Sequence, residues 1–276
     1  MKNYSFKLFF LVFVFIFTNC KNTEKQDEGV VEDDSLATAV EQTKLNAQNV
    51  FNSMPDRTII LKLVAEENIP YKSEYLNDPL HKQKYTIELF KALNLGVYGA
   101  DLSIANFFNQ SQESMIFLKC VNALALDVGV NKAFDQEMVS RMETYKENTD
   151  STLEVITSAF KKADEILKLN NRPGTSALII AGFWIEGMYV SCETAKELNK
   201  EKIVNKIIDQ KESLKNIIVL LQDSKLSEES KFVLNDLKQI FDAFEVAETN
   251  TVKNLETIKS ILDKVGTLRQ KLVAGA

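Results

Sequence analysis

Between Ser176 and Ser191 a single residue, Glu186, carries a charge. Residues 173–198, PGTSALIIAGFWIEGMYVSCETAKEL, read as one helix that follows the turn Asn170-Asn171-Arg172 and opens on Pro173. A helix with so little polar surface has to be enclosed by other elements. A second stretch of the same kind covers residues 93–109, LNLGVYGADLSIANFFN. At helical spacing Val97, Asp101, Ile104, Ala105 and Phe108 share one face, and Gly96, Ala100 and Ser103 form a strip of small residues beside it. Glycine inside a helix costs about 1 kcal/mol relative to alanine. Two glycines here imply the close approach of another backbone. Gly187, Ser191 and Ala195 offer a matching strip, so the two helices are expected to cross with these strips in contact.

Each central helix carries one isolated carboxylate. Asp101 lies between Val97 and Ala105, and Glu186 lies between Phe183 and the pair Tyr189 and Val190. A buried carboxylate must be paired, hydrogen-bonded or protonated. One reading is a paired-acid site in which one carboxyl keeps its proton at neutral pH. The other is a core polar network that joins the acids to Arg172, Arg141 or Tyr98. Phe183, Trp184 and Tyr189 either line a ligand pocket beside them or fill the core, which is the commoner use of aromatic residues at helical spacing.

The start of the chain, MKNYSFKLFFLVFVFIFTNC, carries Lys2 and Lys7 ahead of an apolar run over residues 8–17. That run is shorter than the ~20 residues that span a bilayer, and it fits the apolar core of a secretory signal. Cys20 follows directly. The arrangement resembles a bacterial lipoprotein signal, with residues 1–19 removed and Cys20 lipidated. Phe17 and Asn19 depart from the usual residues before the cysteine, as in the looser signals of Bacteroidetes lipoproteins. Residues 20–35 are polar and acidic and read as a tether. The expected mature chain is held at a membrane by its lipid rather than by a spanning helix.

Composition narrows the classes further. The chain has 33 basic and 39 acidic residues; without Lys2 and Lys7, 31 basic residues remain against 39 acidic ones, a net charge of −8. Such a balance argues against nucleic acid as a partner. His81 is the only histidine and is expected at the surface, so a serine or cysteine triad would have to use it. No zinc or di-iron helix motif is present, and Gly96-x-x-Gly99 lies inside a helix rather than after a strand, so no metal and no cofactor is expected. Cys120 and Cys192 sit in apolar helical stretches and are expected as buried free thiols.

Periodicity of three and four without strand alternation predicts an all-α protein over residues 36–276, arranged as a multi-helix up-and-down bundle or as stacked helical hairpins. The expected helices cover residues 36–54, a segment opened by Pro55 or Asp56 with Ile59, Ile60, Leu63 and Val64 on its apolar side, then 82–109, 112–128, 134–147, 152–169 capped by Asp150 or Ser151, 173–198, 203–221, one capped by Ser227, and a last one striped by Leu255, Ile258, Leu262, Val265 and Leu272. Residues 69–79, with Tyr71 and Tyr75, form a loop before the first central helix, either a lid or a connector.

The segments NLGVYGADLS and GFWIEGMY together resemble a family of Bacteroidetes lipoproteins without an assigned activity. The resemblance implies an all-helical fold and an outer-membrane location, on either face, but no mechanism. Asp34-Ser35-Leu36 and Asp150-Ser151-Thr152 resemble short O-glycosylation sites of the same bacteria. The expected function is a non-enzymatic binding or scaffolding role in the cell envelope, toward an envelope protein or a small ligand. The alternative is a ligand-binding or hydrolytic site with Asp101, Glu186, Tyr98, Arg172 and Trp184 in a pocket between the central helices.

Overall fold

The computed structural model describes residues 70–275. The signal, Cys20, the tether and the helices expected before Pro70 lie outside the described residues. Those described contain nine α-helices and no strand, an all-α multi-helix bundle. In chain order these are α1 (Glu88–Phe107), α2 (Ser111–Val128), α3 (Gln136–Thr144), α4 (Thr149–Leu169), α5 (Pro173–Leu198), α6 (Glu201–Ile208), α7 (Lys211–Asp223), α8 (Lys231–Thr249) and α9 (Leu255–Ala274).

Neighbours in sequence pack as hairpins, α1 with α2, α3 with α4 and α8 with α9. The centre adds a pairing that does not follow chain order. Among the described helices α1 and α5 make the most extensive contact, and α4, α7 and α9 cover α5. Leu93, Leu95 and Leu102 of α1 and Ala181 and Ile185 of α5 have no solvent exposure. Helix α5 is long and apolar enough to cross a membrane by length and composition, but its apolar window is 83% buried by its neighbours.

The two central helices cross where glycine permits, and one of the expected strips is corrected. A Cβ on Gly182 would lie 2.0 Å from the Leu93 carbonyl oxygen, and one on Gly96 would lie 2.0 Å from the Ile179 carbonyl oxygen. Gly187, in the strip expected to meet α1, has nothing within 4 Å of such an atom. The contact therefore sits around Gly182, which spacing by four from Gly187 does not reach. Gly99 serves a different neighbour, the Phe160 ring of α4.

Several boundaries also differ from expectation, each for a local reason. Helix α1 begins at Glu88 rather than near Lys82, because Tyr85 is drawn inward in an extended conformation. Its hydroxyl accepts from Asn77 Nδ2 at 3.1 Å and donates to the Val273 carbonyl at 3.3 Å. Asp135 caps α3 through the Met138 amide, so that helix starts later than residue 134. The cap of α4 is Asn148, whose side chain accepts from the Ser151 amide, not Asp150 or Ser151. The helix expected over residues 203–221 is two, bent at Asp209-Gln210. Both residues there keep right-handed helical dihedrals, so apolar periodicity does not register the bend. Ser227 precedes a short 3-10 turn and makes no backbone cap. An Asn254–Thr257 capping box opens α9.

Candidate functional site

From the glycine crossing, Glu186 stands one turn further along α5 and Asp101 a little more than one turn beyond Gly96 on α1. Both side chains are fully buried. The two carboxyl groups are direct neighbours and hydrogen-bond to each other. Glu186 is gripped by Arg269 of α9, whose Nε and Nη2 donate to its two oxygens, both at 2.9 Å. This is the planar fork that suits arginine to a carboxylate. The guanidinium lies 4.5 Å from the centre of the Tyr189 ring, and Nη2 also reaches the Tyr75 carbonyl at 3.5 Å. The Asn77 amide donates to Asp101 Oδ2 at 3.2 Å.

Charge count decides the protonation state. One guanidinium faces two buried carboxyl groups. A second ionised carboxylate would leave an uncompensated charge in the core, at a cost of several kcal/mol. Burial, and then the negative charge of Glu186, push Asp101 well above the usual carboxylate range. Asp101 therefore holds the proton and Glu186 the charge. Asp101 Oδ1 meets no protein donor. Protonated, the Asp101 carboxyl becomes the donor in its bond to Glu186.

Residues 70–85 form a strap over this cluster. The Asn77 amide and the Tyr75 carbonyl engage Asp101 and Arg269, as above. Tyr98 donates to the Asp78 carbonyl at 2.8 Å, and Cys120 Sγ lies 3.7 Å from the Pro79 carbonyl. Tyr71 bonds Glu113 of α2, and Lys72 and Tyr75 both bond Glu197 of α5. The segment is thus a cover fixed along its length. His81 sits on its second turn, with Nδ1 3.3 Å from Asn77 Oδ1.

Among the residues expected at the site, Asp101 and Glu186 come together, and Tyr98 stands near them as part of the strap's anchorage. Burial raises the Tyr98 hydroxyl far above its ordinary range, with a further push from nearby Tyr85, so it stays protonated. Arg172 is not the acids' partner. It donates to the Val128 carbonyl at 2.8 Å and pairs with Glu88 at 2.7 Å, so it ties the end of α2 to the start of α1. Arg141 is exposed on α3. Trp184 is core, packed against Phe244 of α8 at 6.5 Å between ring centres. Cys120 and Cys192 are free and buried, and burial raises both thiols.

Sequence reasoning missed Arg269, and a signal for it existed. The apolar stripe of α9 runs through Leu255, Ile258, Leu262, Val265 and Leu272, and the position missing from that rhythm is 269. A charge placed on an apolar stripe calls for a buried counter-charge elsewhere.

The acids are adjacent, as a two-carboxylate site requires, but they are enclosed. Both Glu186 oxygens are occupied by Arg269, and Asp101 faces the strap. Among the described residues no group of three His, Cys, Asp or Glu side chains converges to hold a metal ion. Comparison of the chain with family models, curated proteins and solved structures finds no match.

Proposed function

We propose that this chain is a lipid-anchored protein of the bacterial cell envelope, of the Bacteroidetes lipoprotein type, and that it works through surface binding or scaffolding rather than catalysis. The observation that carries the non-catalytic part is the fork from Arg269 to Glu186. A general base needs a lone pair within reach of substrate. Here the ionised carboxylate has both oxygens held by Arg269, and the other carboxyl keeps a proton beneath the strap. Its role in this reading is structural: it fixes α1, α5, α9 and the strap to one another.

The anchoring part is supported by the order of Lys2, Lys7, the apolar run and Cys20, followed by an acidic tether. A single cysteine then decides where the domain resides. Cys20→Ser is expected to abolish incorporation of labelled palmitate and to move the chain from the membrane fraction to the soluble fraction. Undiminished labelling and membrane retention in that variant would overturn the anchor.

A further inference from the structure

Helices α1, α5 and α9 wall the acid cluster, and the strap covers it. The strap consists of two 3-10 turns, Ser73–Tyr75 and Pro79–Lys84, flanked by extended residues. Its own backbone bonds are local, from Tyr75 to Lys72, from Leu76 to Ser73 and from His81 to Asp78. Over the cluster it is held by single contacts. The Asn77 amide meets Asp101, the Tyr75 carbonyl meets Arg269, the Asp78 carbonyl meets Tyr98, and the Leu76 side chain is buried. The three helices are 20, 26 and 20 residues long, and their backbones bond internally. Of the parts around the cluster, residues 75–80 are therefore the ones that can swing out while every helix stays whole. Local openings of this kind are drawn from segments with few internal bonds.

Charge supplies the reason to open. Arg269 balances one carboxylate, and both of its bonds go to Glu186. Loss of the Asp101 proton turns the bond between the acids into repulsion between two carboxylates in an enclosed site. The Asn77 amide offsets only part of that cost, because Asp101 Oδ1 has no donor. The ionisable groups facing Asp101 are Glu186 of α5, Arg269 of α9, Tyr98 of α1, Cys120 of α2 and Tyr71 of the strap. Burial raises Tyr98, Tyr71 and Cys120, the last to about 11, so these three keep their protons near neutral pH. The proton shared by the two acids is the one that moves. We propose that the strap is a proton-controlled cover. With Asp101 protonated it is locked to α1, α5 and α9 as one body. Loss of that proton lifts residues 75–80, lets water reach both carboxylates and bares the Cys120 thiol, which lies against the Pro79 carbonyl. The inference rests on the reading of the acid cluster as a clamp and not on the lipid anchor.

The test follows Cys120 in the full chain with a water-soluble maleimide at low concentration, labelling at each cysteine being read by peptide mass spectrometry. Dividing the Cys120 rate by that of glutathione at the same pH removes the ordinary pH dependence of a thiol and leaves the fraction of time the cover is open. Opening releases one proton, so that fraction rises with pH by up to about tenfold per unit, and by at least about fivefold from about pH 5 to about pH 7. Asp101→Asn still donates to Glu186 and accepts from Asn77 but has no proton to lose, so its open fraction stays flat. His81, beside Asn77 Oδ1, is present in both proteins and cancels in their ratio. Cys192, buried on α5, stays unlabelled throughout, which marks the opening as local. If Asp101→Asn does not fold, His81→Gln decides instead: a rise that survives it supports the cover, and a rise lost with the histidine overturns it. An open fraction that does not rise with pH, or that rises equally in Asp101→Asn, overturns the inference. So does labelling of Cys192 in step with Cys120, because the whole fold then opens.

Discussion

Asp101 and Glu186 share one guanidinium, and the proton that balances the set sits on Asp101. The unfolded chain releases that proton near the ordinary aspartate pKa of about 3.9. The folded pKa is raised, so between the two values the folded state holds a proton the unfolded state has lost. Stability falls as pH rises through that interval, by up to about 1.4 kcal/mol per pH unit. Asp101→Asn keeps the shape and removes the titration. Urea unfolding of both proteins from about pH 4.5 to about pH 7.5 should show the wild type losing ground to Asp101→Asn as pH rises. A difference that stays constant across that range would mean that Asp101 is ionised in the fold. The lone acids were legible in the sequence because each interrupts an apolar helix. Their partner was not, because Arg269 lies 83 residues from Glu186 on a helix with many charges. Arg172, nearer in sequence to α5, was the wrong candidate because its local duty at the turn consumes it.

The α1–α5 crossing depends on two hydrogen atoms standing where methyl groups would otherwise be. Gly96→Ala and Gly182→Ala each drive a Cβ into a backbone carbonyl at 2.0 Å, and backbone does not give way as a flexible side chain does. Each is expected to destabilise by about 3 kcal/mol or more, at the severe end of overpacking. Gly187→Ala meets nothing and removes a helix-interior glycine, so it should be neutral or stabilise by up to about 1 kcal/mol. Chemical denaturation of the three variants separates the observed crossing from one centred on Gly187, which would reverse the order of Gly182→Ala and Gly187→Ala. The existence of both helices, and of a close crossing, was written in their composition. Which small residues meet was not, since a helix has several strips of similar spacing and tertiary packing selects among them. Element ends follow the same logic. Residues 173–198 matched because Pro173 and the turn before it mark the start locally, whereas the start of α1 depends on Tyr85 reaching Val273, a contact between opposite ends of the domain.

Across the whole molecule the acid cluster is where distant parts of the chain are fastened. The strap and α1 come from the start of the described chain, α5 from its middle and α9 from its end. A cluster of this kind makes their unfolding one event rather than several. It also relates the interior to the proposed role, because, if the proposed anchor holds, a rigid helical body would present its outer surfaces in a constant arrangement. In that proposed reading function belongs to those surfaces and the acids serve stability. The most direct measurement is a double-mutant cycle on unfolding free energy with Glu186→Leu and Arg269→Met. Arg269→Met strands a buried charge and is expected to cost about 3–5 kcal/mol, Glu186→Leu costs less because Asp101 can ionise to meet Arg269, and the double variant recovers most of the larger loss, as replaced buried ion pairs do. Two single variants that fold with little loss of stability, or losses that simply add, would contradict a structural clamp and return Asp101 and Glu186 to consideration as a working site.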